Sequence, residues 1–166
     1  MNAIDLLKAD HAKVQALFRQ YDGAGEQASQ QRELAEQIFT ELEVHARLEE
    51  ELFYPAVRAR LGPETAAKEP KKTEDDDIEE GEEDLVGEAL EEHQEVKDLI
   101  AALRALKPGD AQFQTMFAEL RESVEEHIGM EEDELMPDAV GALGSELERL
   151  GRQLEERKEQ LMAGKS

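Results

Sequence analysis

The chain has 166 residues, enough for one ordinary domain with a full hydrophobic core. It carries 42 Asp and Glu against 19 Lys and Arg, and the resulting net charge of −23 repels both nucleic acid and an anionic membrane surface. Cysteine is absent, which excludes disulfides, thiolate-bound zinc and iron–sulfur ligation by this chain. No apolar stretch reaches transmembrane length and the N-terminus lacks a signal-peptide core, so we expect a cytoplasmic protein.

The first predicted element is an amphipathic helix that carries a histidine on its apolar side. Apolar residues between positions 4 and 21 recur at alternating steps of three and four, and His11 lies in that stripe. Gly23 and Gly25 are typical of a helix end, so the helix is expected to stop there.

The second predicted helix covers residues from about 29 to 60. His45 and Glu49 are four residues apart, which places both on the apolar face one turn from each other. Pro55 interrupts the pattern near its end, where we expect a bend or a shift of the helix.

A strongly acidic segment follows, at about residues 62–81. It has few apolar residues, and no base occurs between Glu74 and Asp84. We expect a flexible linker, with an acidic tether or a cation-attracting surface as the alternative.

The second half of the chain predicts two more amphipathic helices. His93 lies in the apolar stripe of the third, between residues 86 and 103. The fourth presents His127 and Glu131 on its apolar face and is expected to end near Pro137. Four helices joined by short turns, apart from the acidic linker, predict an all-α, antiparallel up-and-down four-helix bundle over residues 1–140.

The C-terminal segment, residues 141–166, predicts a fifth helix with a weaker apolar seam. Its leucines stand among many charged residues. We expect this helix to pack on the bundle, and the alternative is a coiled-coil contact in a homodimer.

The metal-ligating residue types occur as two copies of one pattern. The residues repeat at an offset of 82 in three pairs: His11 and His93, His45 and His127, Glu49 and Glu131. Burying a carboxylate without a partner costs several kcal/mol, and no Lys or Arg occupies an equivalent seam position. Imidazole and carboxylate ligands suit iron, manganese or zinc, and one carboxylate from each half can bridge two ions. The pattern therefore predicts a two-metal centre, while a hydrogen-bonded His–Glu layer without metal remains the alternative.

Longer motifs around these residues resemble the hemerythrin-like, His-His-Glu (HHE) cation-binding domains over roughly residues 3–140. The motifs are Asp10-His11, His45-x-x-x-Glu49-Glu50, Glu92-His93 and His127-x-x-x-Glu131-Glu132. The resemblance implies a non-haem centre of two iron ions with an oxo or hydroxo bridge, manganese and zinc being the alternatives. It also implies six metal ligands: His11, His45, Glu49, His93, His127 and Glu131.

One departure from the family bears on function. Oxygen-carrying hemerythrins have a further histidine at the position of Lys97, and this chain has no fifth histidine. Lys97 then faces solvent and water takes the sixth coordination position of the metal, or Glu50, Glu132 or Tyr54 supplies an extra oxygen ligand.

The resemblance implies a protein that binds O2, NO or peroxide in the response to oxygen, oxidative or nitrosative stress. The alternatives are a peroxidase-like or catalase-like enzyme, with Tyr21 or Tyr54 as a redox-active or proton-donating neighbour, and iron storage or delivery for iron–sulfur repair. The expected partner is a small-molecule ligand, with neither nucleic acid nor membrane as a partner.

Overall fold

The computed structural model describes residues 1–25, 27–61 and 84–164, and these are all-helical. The expected acidic linker lies outside the described residues. The helices are α1 (Ala3–Gly23), α2 (Ala28–Leu48), α3 (Tyr54–Leu61), α4 (Leu85–Arg104), α5 (Ala111–Met130), α6 (Met136–Leu143) and α7 (Glu146–Ala163). Two π-helical turns, π1 (Glu49–Phe53) and π2 (Glu131–Leu135), join α2 to α3 and α5 to α6. None of the described helices combines the length and apolar character that crossing a bilayer requires.

Helices α1, α2, α4 and α5 form an antiparallel bundle. Between α1 and α5, Asp22 pairs with Arg121 near one end and Gln15 contacts Glu125 further along, so the two helices run in opposite directions. The ion pairs Arg104–Glu43 and Lys97–Glu50 show the same relation between α4 and the continuous helical segment of α2 and π1. The predicted up-and-down four-helix bundle is confirmed.

The π-helical turns explain how two prolines lie within continuous helical segments. These segments, α2–π1–α3 (residues 28–61) and α5–π2–α6 (residues 111–143), are called the second and fourth rods, and α1 and α4 are the first and third. In π1 the backbone N–H of Tyr54 bonds to the carbonyl of Glu49, five residues back, and Met136 bonds to Glu131 in the same way in π2. This wider turn accommodates the proline that follows, because proline has no N–H and crowds the carbonyl four residues before it. The second rod is therefore shifted near Pro55, as expected. The predicted end near Pro137 is wrong, because the fourth rod continues to Leu143.

The core consists of two apolar clusters with a polar layer between them. One cluster includes Leu7, Leu48 and Leu135, and the other includes Val14, Ile38 and Val124. These two sets flank the histidine positions on their helices. The bundle thus holds its polar residues in the middle of the apolar core.

Helix α7 packs against α1 and α2. Its leucines at 147, 150 and 154 are buried in the first cluster, and the backbone at Gly151 lies against the backbone at the start of α1. A homodimer contact through this helix remains a prediction.

Candidate metal centre

All six residues predicted as ligands converge in the polar layer. The four histidines are at most 7 % exposed, and Glu49 and Glu131 are fully buried. Their donor atoms form two groups, each with atoms within 4.8 Å of one another: His11, His45 and Glu131 in the first, and Glu49, His93 and His127 in the second. Each group thus takes its carboxylate from the other half of the chain.

The helical spacing positions each carboxylate next to two histidines. Glu49 Oε1 lies 2.9 Å from His45 Nε2, one turn earlier on the same rod, and 3.3 Å from His93 Nε2 on α4. Glu131 Oε2 lies 3.2 Å from His127 Nε2. A carboxylate oxygen of Glu131 also lies within 4.8 Å of the donor nitrogens of His11 and His45. Both carboxylates therefore lie between the two histidine pairs, which is the position of a bridging ligand.

The inward nitrogens of each histidine pair face one another. The Nε2 atoms of His11 and His45 are 3.2 Å apart, and those of His93 and His127 are also 3.2 Å apart. Two nitrogens that share one ion at about 2.1 Å are separated by about 3.0–3.4 Å, so both pairs have the spacing of ligands to a common ion.

The outward nitrogens face a second set of carboxylates. The Nδ1 distances are 3.1 Å for His11 to Glu132, 3.1 Å for His45 to Asp10, 3.7 Å for His93 to Glu50 and 3.6 Å for His127 to Glu92. A carboxylate at Nδ1 favours the tautomer with its proton on Nδ1 and leaves a lone pair on Nε2. When the four rings are neutral, their Nε2 lone pairs therefore point into the layer.

The carboxylates of Glu49 and Glu131, called the inner carboxylates, contact imidazole nitrogens but accept no well-directed hydrogen bond within the described part of the chain, which fits a cation between them. None of the four carboxylate oxygens of Glu49 and Glu131 accepts a well-directed hydrogen bond among the described residues, although all four are buried. Buried polar atoms are normally satisfied, and a buried anion normally has a counter-charge. Four inward nitrogens and four unsatisfied oxygens suit two cations, and without cysteine the donor set is that of iron, manganese or zinc.

Without a cation, protons have to neutralise part of this layer. Burial lowers the pKa of His45 by itself, but the carboxylates of Glu49 and Asp10 outweigh it and raise that pKa to about 10. Burial and the neighbouring Glu49 raise the pKa of Glu131 to about 7. Burial and the positive charge of His45 lower the pKa of His11 to about 3. The layer thus keeps protons that a metal ion would replace.

Tyr54 places a further oxygen beside the inner donors. Its hydroxyl lies 3.2 Å from His93 Nε2, and its side chain is buried. Burial together with the carboxylates of Glu49 and Glu131 raises the pKa of this phenol well above its usual value. Tyr21 packs instead on Phe117 in the second apolar cluster and donates a hydrogen bond to Gln114.

A cavity of mainly apolar lining reaches the four histidines. Its volume is about 40 Å³. The apolar lining comes from Val14, Leu42, Ala46, Val96, Ile100, Val124 and Ile128. Charged residues in its wall include Lys97 and Glu43, which are partly exposed and pair with Glu50 and Arg104. The inner donors are therefore next to a space suited to a small molecule.

Comparison with known families identifies the domain. The model of the hemerythrin HHE cation binding domain matches residues 2–139 and, separately, residues 84–163. The chain belongs to the hemerythrin HHE cation-binding family. The second match begins 82 residues after the first, which is the offset of the sequence repeat. The two halves of this HHE domain are therefore related to the same family pattern.

Several relatives are similar over different parts of their length. An uncharacterized protein of Mycobacterium tuberculosis is 28% identical over 163 residues, covering 97% of this chain and 88% of that protein. A DNA nickase of a Nostoc species is 30% identical over 146 residues, covering 88% of this chain but only 36% of the nickase. The crystal structure of an HHE cation binding domain-containing protein from Mycobacterium kansasii matches the fold with a TM-score of 0.77 at 24% identity, covering 99% of this chain and 89% of that one.

The outer carboxylates of this HHE domain are the functional residues whose role sequence reasoning missed. Asp10 and Glu92 precede a histidine, and Glu50 and Glu132 follow an inner glutamate. A neighbour in sequence lies about 100° around the helix from an inward-facing residue, so it faces the adjacent rod and not the centre. This repeated adjacency was the available signal.

The structure also separates the alternatives for an extra oxygen ligand. Glu50 and Glu132 contact the outward nitrogens of histidines, while only Tyr54 of the three contacts an inward nitrogen. Lys97 pairs with Glu50 at 2.9 Å. Among these alternatives, the geometry favours the Tyr54 hydroxyl.

Proposed function

We propose that this HHE domain binds two iron ions and presents them to a small uncharged ligand. His11 and His45 would hold one ion, His93 and His127 the other, and Glu49 and Glu131 would bridge them. The observation that carries the proposal is the set of four buried, unsatisfied oxygens of Glu49 and Glu131 facing four imidazole nitrogens. Manganese or zinc would satisfy the same donors.

When bound, a pair of iron ions supplies redox equivalents and open positions for O2, NO or peroxide. The protein supplies orientation and exclusion of water. The outer carboxylates fix the ring orientation of the histidines, and the two apolar clusters keep the layer out of bulk solvent.

The cavity supports a small and uncharged ligand. Its volume accommodates molecules of the size of water, O2, NO or peroxide, and its apolar walls offer little to a charged substrate. A function in the cytoplasmic response to oxidative or nitrosative stress is part of this proposal.

The first experiment combines metal analysis with ligand binding. We expect two iron ions per chain after anaerobic loading and a change in the visible spectrum on addition of NO. Val96→Phe, which fills the cavity wall, should slow the NO reaction and keep both ions. Leu99→Phe is the matched control, because Leu99 lies on the same helix beside Met116 in a different surface groove. A chain that takes up no metal, or reacts with NO at the same rate in both variants, would contradict the proposal.

Turnover of peroxide is the second candidate function, and Tyr54 favours it. Disproportionation needs no external oxidant or reductant, because one peroxide gives up two electrons and two protons and another takes them to form two waters. A phenol that keeps its proton beside the inner donors is placed to donate that proton or a hydrogen bond. Rapid oxygen evolution from peroxide by the iron-loaded protein would support this function. If no oxygen evolves, ligand binding without turnover is the function that stands. Iron storage would involve the acidic linker, which lies outside the described residues.

A further inference from the structure

A contact from the C-terminal helix reaches the polar layer through Asp10. Lys158 Nζ on α7 lies 2.5 Å from Asp10 Oδ1, and the other oxygen of the same carboxylate lies 3.1 Å from His45 Nδ1. Asp10 is 4 % exposed. The two oxygens of one buried carboxylate are thus divided between a lysine outside the four-helix bundle and a histidine at its centre.

We propose that Lys158 is a positioning residue for the metal centre, because it holds the Asp10 carboxylate in the orientation that keeps His45 Nε2 directed inward. The inference rests on the proposed function, in which His45 holds a metal ion. It makes α7 a working part of the centre in addition to a cover for the apolar core.

The contact between Lys158 and Asp10 offsets part of the free-energy cost of burying the Asp10 carboxylate. Without the lysine, one buried carboxylate oxygen would lose its donor, and the side chain would gain by turning toward solvent. His45 Nδ1 would then lose its acceptor, and the imidazole ring could rotate away from the ion. Partners at the outer nitrogen of a metal-binding histidine typically affect metal affinity by 10–100-fold.

The arrangement differs between the two halves of the domain. The repeat counterpart of Asp10 is Glu92, which lies 3.6 Å from His127 Nδ1. Oε1 of Glu92, the oxygen that faces His127, accepts no well-directed hydrogen bond among the described residues, whereas Asp10 has His45 at one oxygen and Lys158 at the other. The effect of Lys158 should therefore fall on the ion held by His11 and His45 and spare the other.

Helix α7 has other contacts that keep it docked when Lys158 changes. Leu150 and Leu154 are buried, and Arg157 pairs with Glu51 at 2.7 Å. Lys158→Met keeps most of the aliphatic stem and removes the charge. The variant is therefore expected to fold with α7 in place.

The test uses the full-length protein as wild type, Lys158→Met, Lys158→Arg and the control Arg157→Met. Each is loaded with ferrous iron, and release of the two ions to a chelator is followed over time. We expect one of the two ions to leave about 10-fold faster from Lys158→Met, with the other unchanged. Lys158→Arg should restore slow release, and Arg157→Met should behave as wild type because Glu51 also pairs with Arg47.

A second readout reports on the histidine itself. In the protein loaded with diamagnetic zinc, the Nδ1 proton of His45 should exchange slowly with water in wild type and Lys158→Arg, and rapidly in Lys158→Met. Equal release rates and equal proton exchange in Lys158→Met and wild type would overturn the inference while leaving the metal centre intact. Equal acceleration of both ions would also overturn it, because the role would then be structural. A wild-type chain that binds no ion would overturn both proposals.

Discussion

Asp10 and Glu92 occupy equivalent positions in the two halves of the domain, and each carboxylate faces the outer nitrogen of the histidine on the following bundle helix. Asp10 lies 3.1 Å from His45 Nδ1, and Glu92 lies 3.6 Å from His127 Nδ1. The sequence repeat therefore extends beyond the six inner donors to the residues that orient them. Among the described residues, Asp10 has a lysine contact from α7 and Glu92 has none, so the two repeat-related carboxylates differ in this contact.

Replacing either inner glutamate should remove metal. Glu49→Gln or Glu131→Gln takes away a fully buried carboxylate that lies beside both histidine pairs, so we expect at least one of the two ions to be lost. The loaded protein would also lose the stability that binding provides, about 4 kcal/mol per ion at a free concentration 1,000 times Kd. Metal analysis and thermal unfolding measure both effects.

Lys97→Ala is the control for this pair. Lys97 also pairs with an outer carboxylate, Glu50, but Glu50 lies 3.7 Å from His93 Nδ1, which is beyond hydrogen-bond distance, whereas Asp10 lies 3.1 Å from His45 Nδ1. The Lys97 side chain is also 41% exposed, so its loss should disturb His93 less than loss of Lys158 disturbs His45. We expect this variant to keep both ions. Unchanged metal content in both glutamate variants would refute their assignment as bridging ligands.

Tyr54→Phe tests the oxygen beside His93. The change keeps the buried ring and removes only the hydroxyl, so we expect both ions to remain bound and the visible spectrum of the loaded protein to change. If the domain turns over peroxide, the rate should fall by about 100-fold, which is typical for loss of a positioned proton donor. Tyr21→Phe is the matched control because its hydroxyl bonds to Gln114. Identical spectra and rates in wild type and Tyr54→Phe would exclude a role for this phenol.

The stability of the metal-free protein should fall as pH rises above neutrality. The pKa of His45 is raised from 6.5 to about 10 by Glu49 and Asp10, which outweigh the opposing effect of burial. The pKa values of His93 and His127 are also raised, because nearby carboxylates outweigh burial. A group whose pKa is higher in the folded state stabilises the fold below its unfolded pKa, and this contribution is lost as pH rises through the folded pKa. Urea unfolding between pH 6.5 and 10 measures the loss.

The loaded protein serves as the comparison for this pH dependence. Metal binding requires deprotonated histidines, so apparent metal affinity should rise with pH over the same interval. Calorimetric titration in buffers of different ionisation enthalpy should show proton release on binding. A metal-free protein that becomes more stable from pH 6.5 to 10 would contradict this account of the layer.

Gly151→Ala should weaken the attachment of α7. A Cβ atom at this position would lie 2.8 Å from the backbone carbon of Asn2 and 2.9 Å from the nitrogen of Ala3, so the two segments would have to separate. We expect a loss of about 1–3 kcal/mol in the free energy of unfolding, measured by urea titration. Gly141→Ala in α6 is the control, because nothing lies within 4 Å of an added Cβ there. That change should stabilise the protein by about 0.5–1 kcal/mol, and a similar response at both glycines would be inconsistent with close packing at Gly151.

The sequence by itself determined the bundle and the residues at its centre. Helical periodicity places His45 and Glu49 on one face because they are separated by about one turn, and the same spacing applies to His127 and Glu131. The offset of 82 residues then implies two equivalent halves. These patterns are local or repeated, so they can be read without coordinates.

Tertiary structure decided the contacts between rods. Periodicity fixes which residues share a stripe, but the rotation and axial offset of each helix depend on how the side chains of neighbouring helices interlock. The packing brought Tyr54 to the inward nitrogen of His93, directed Glu132 to the outward nitrogen of His11, and brought Lys158 to Asp10 across 148 residues of sequence. The structure also showed the π-helical turns, which the sequence periodicity did not predict. Their wider backbone turns carry both rods past Pro55 and Pro137.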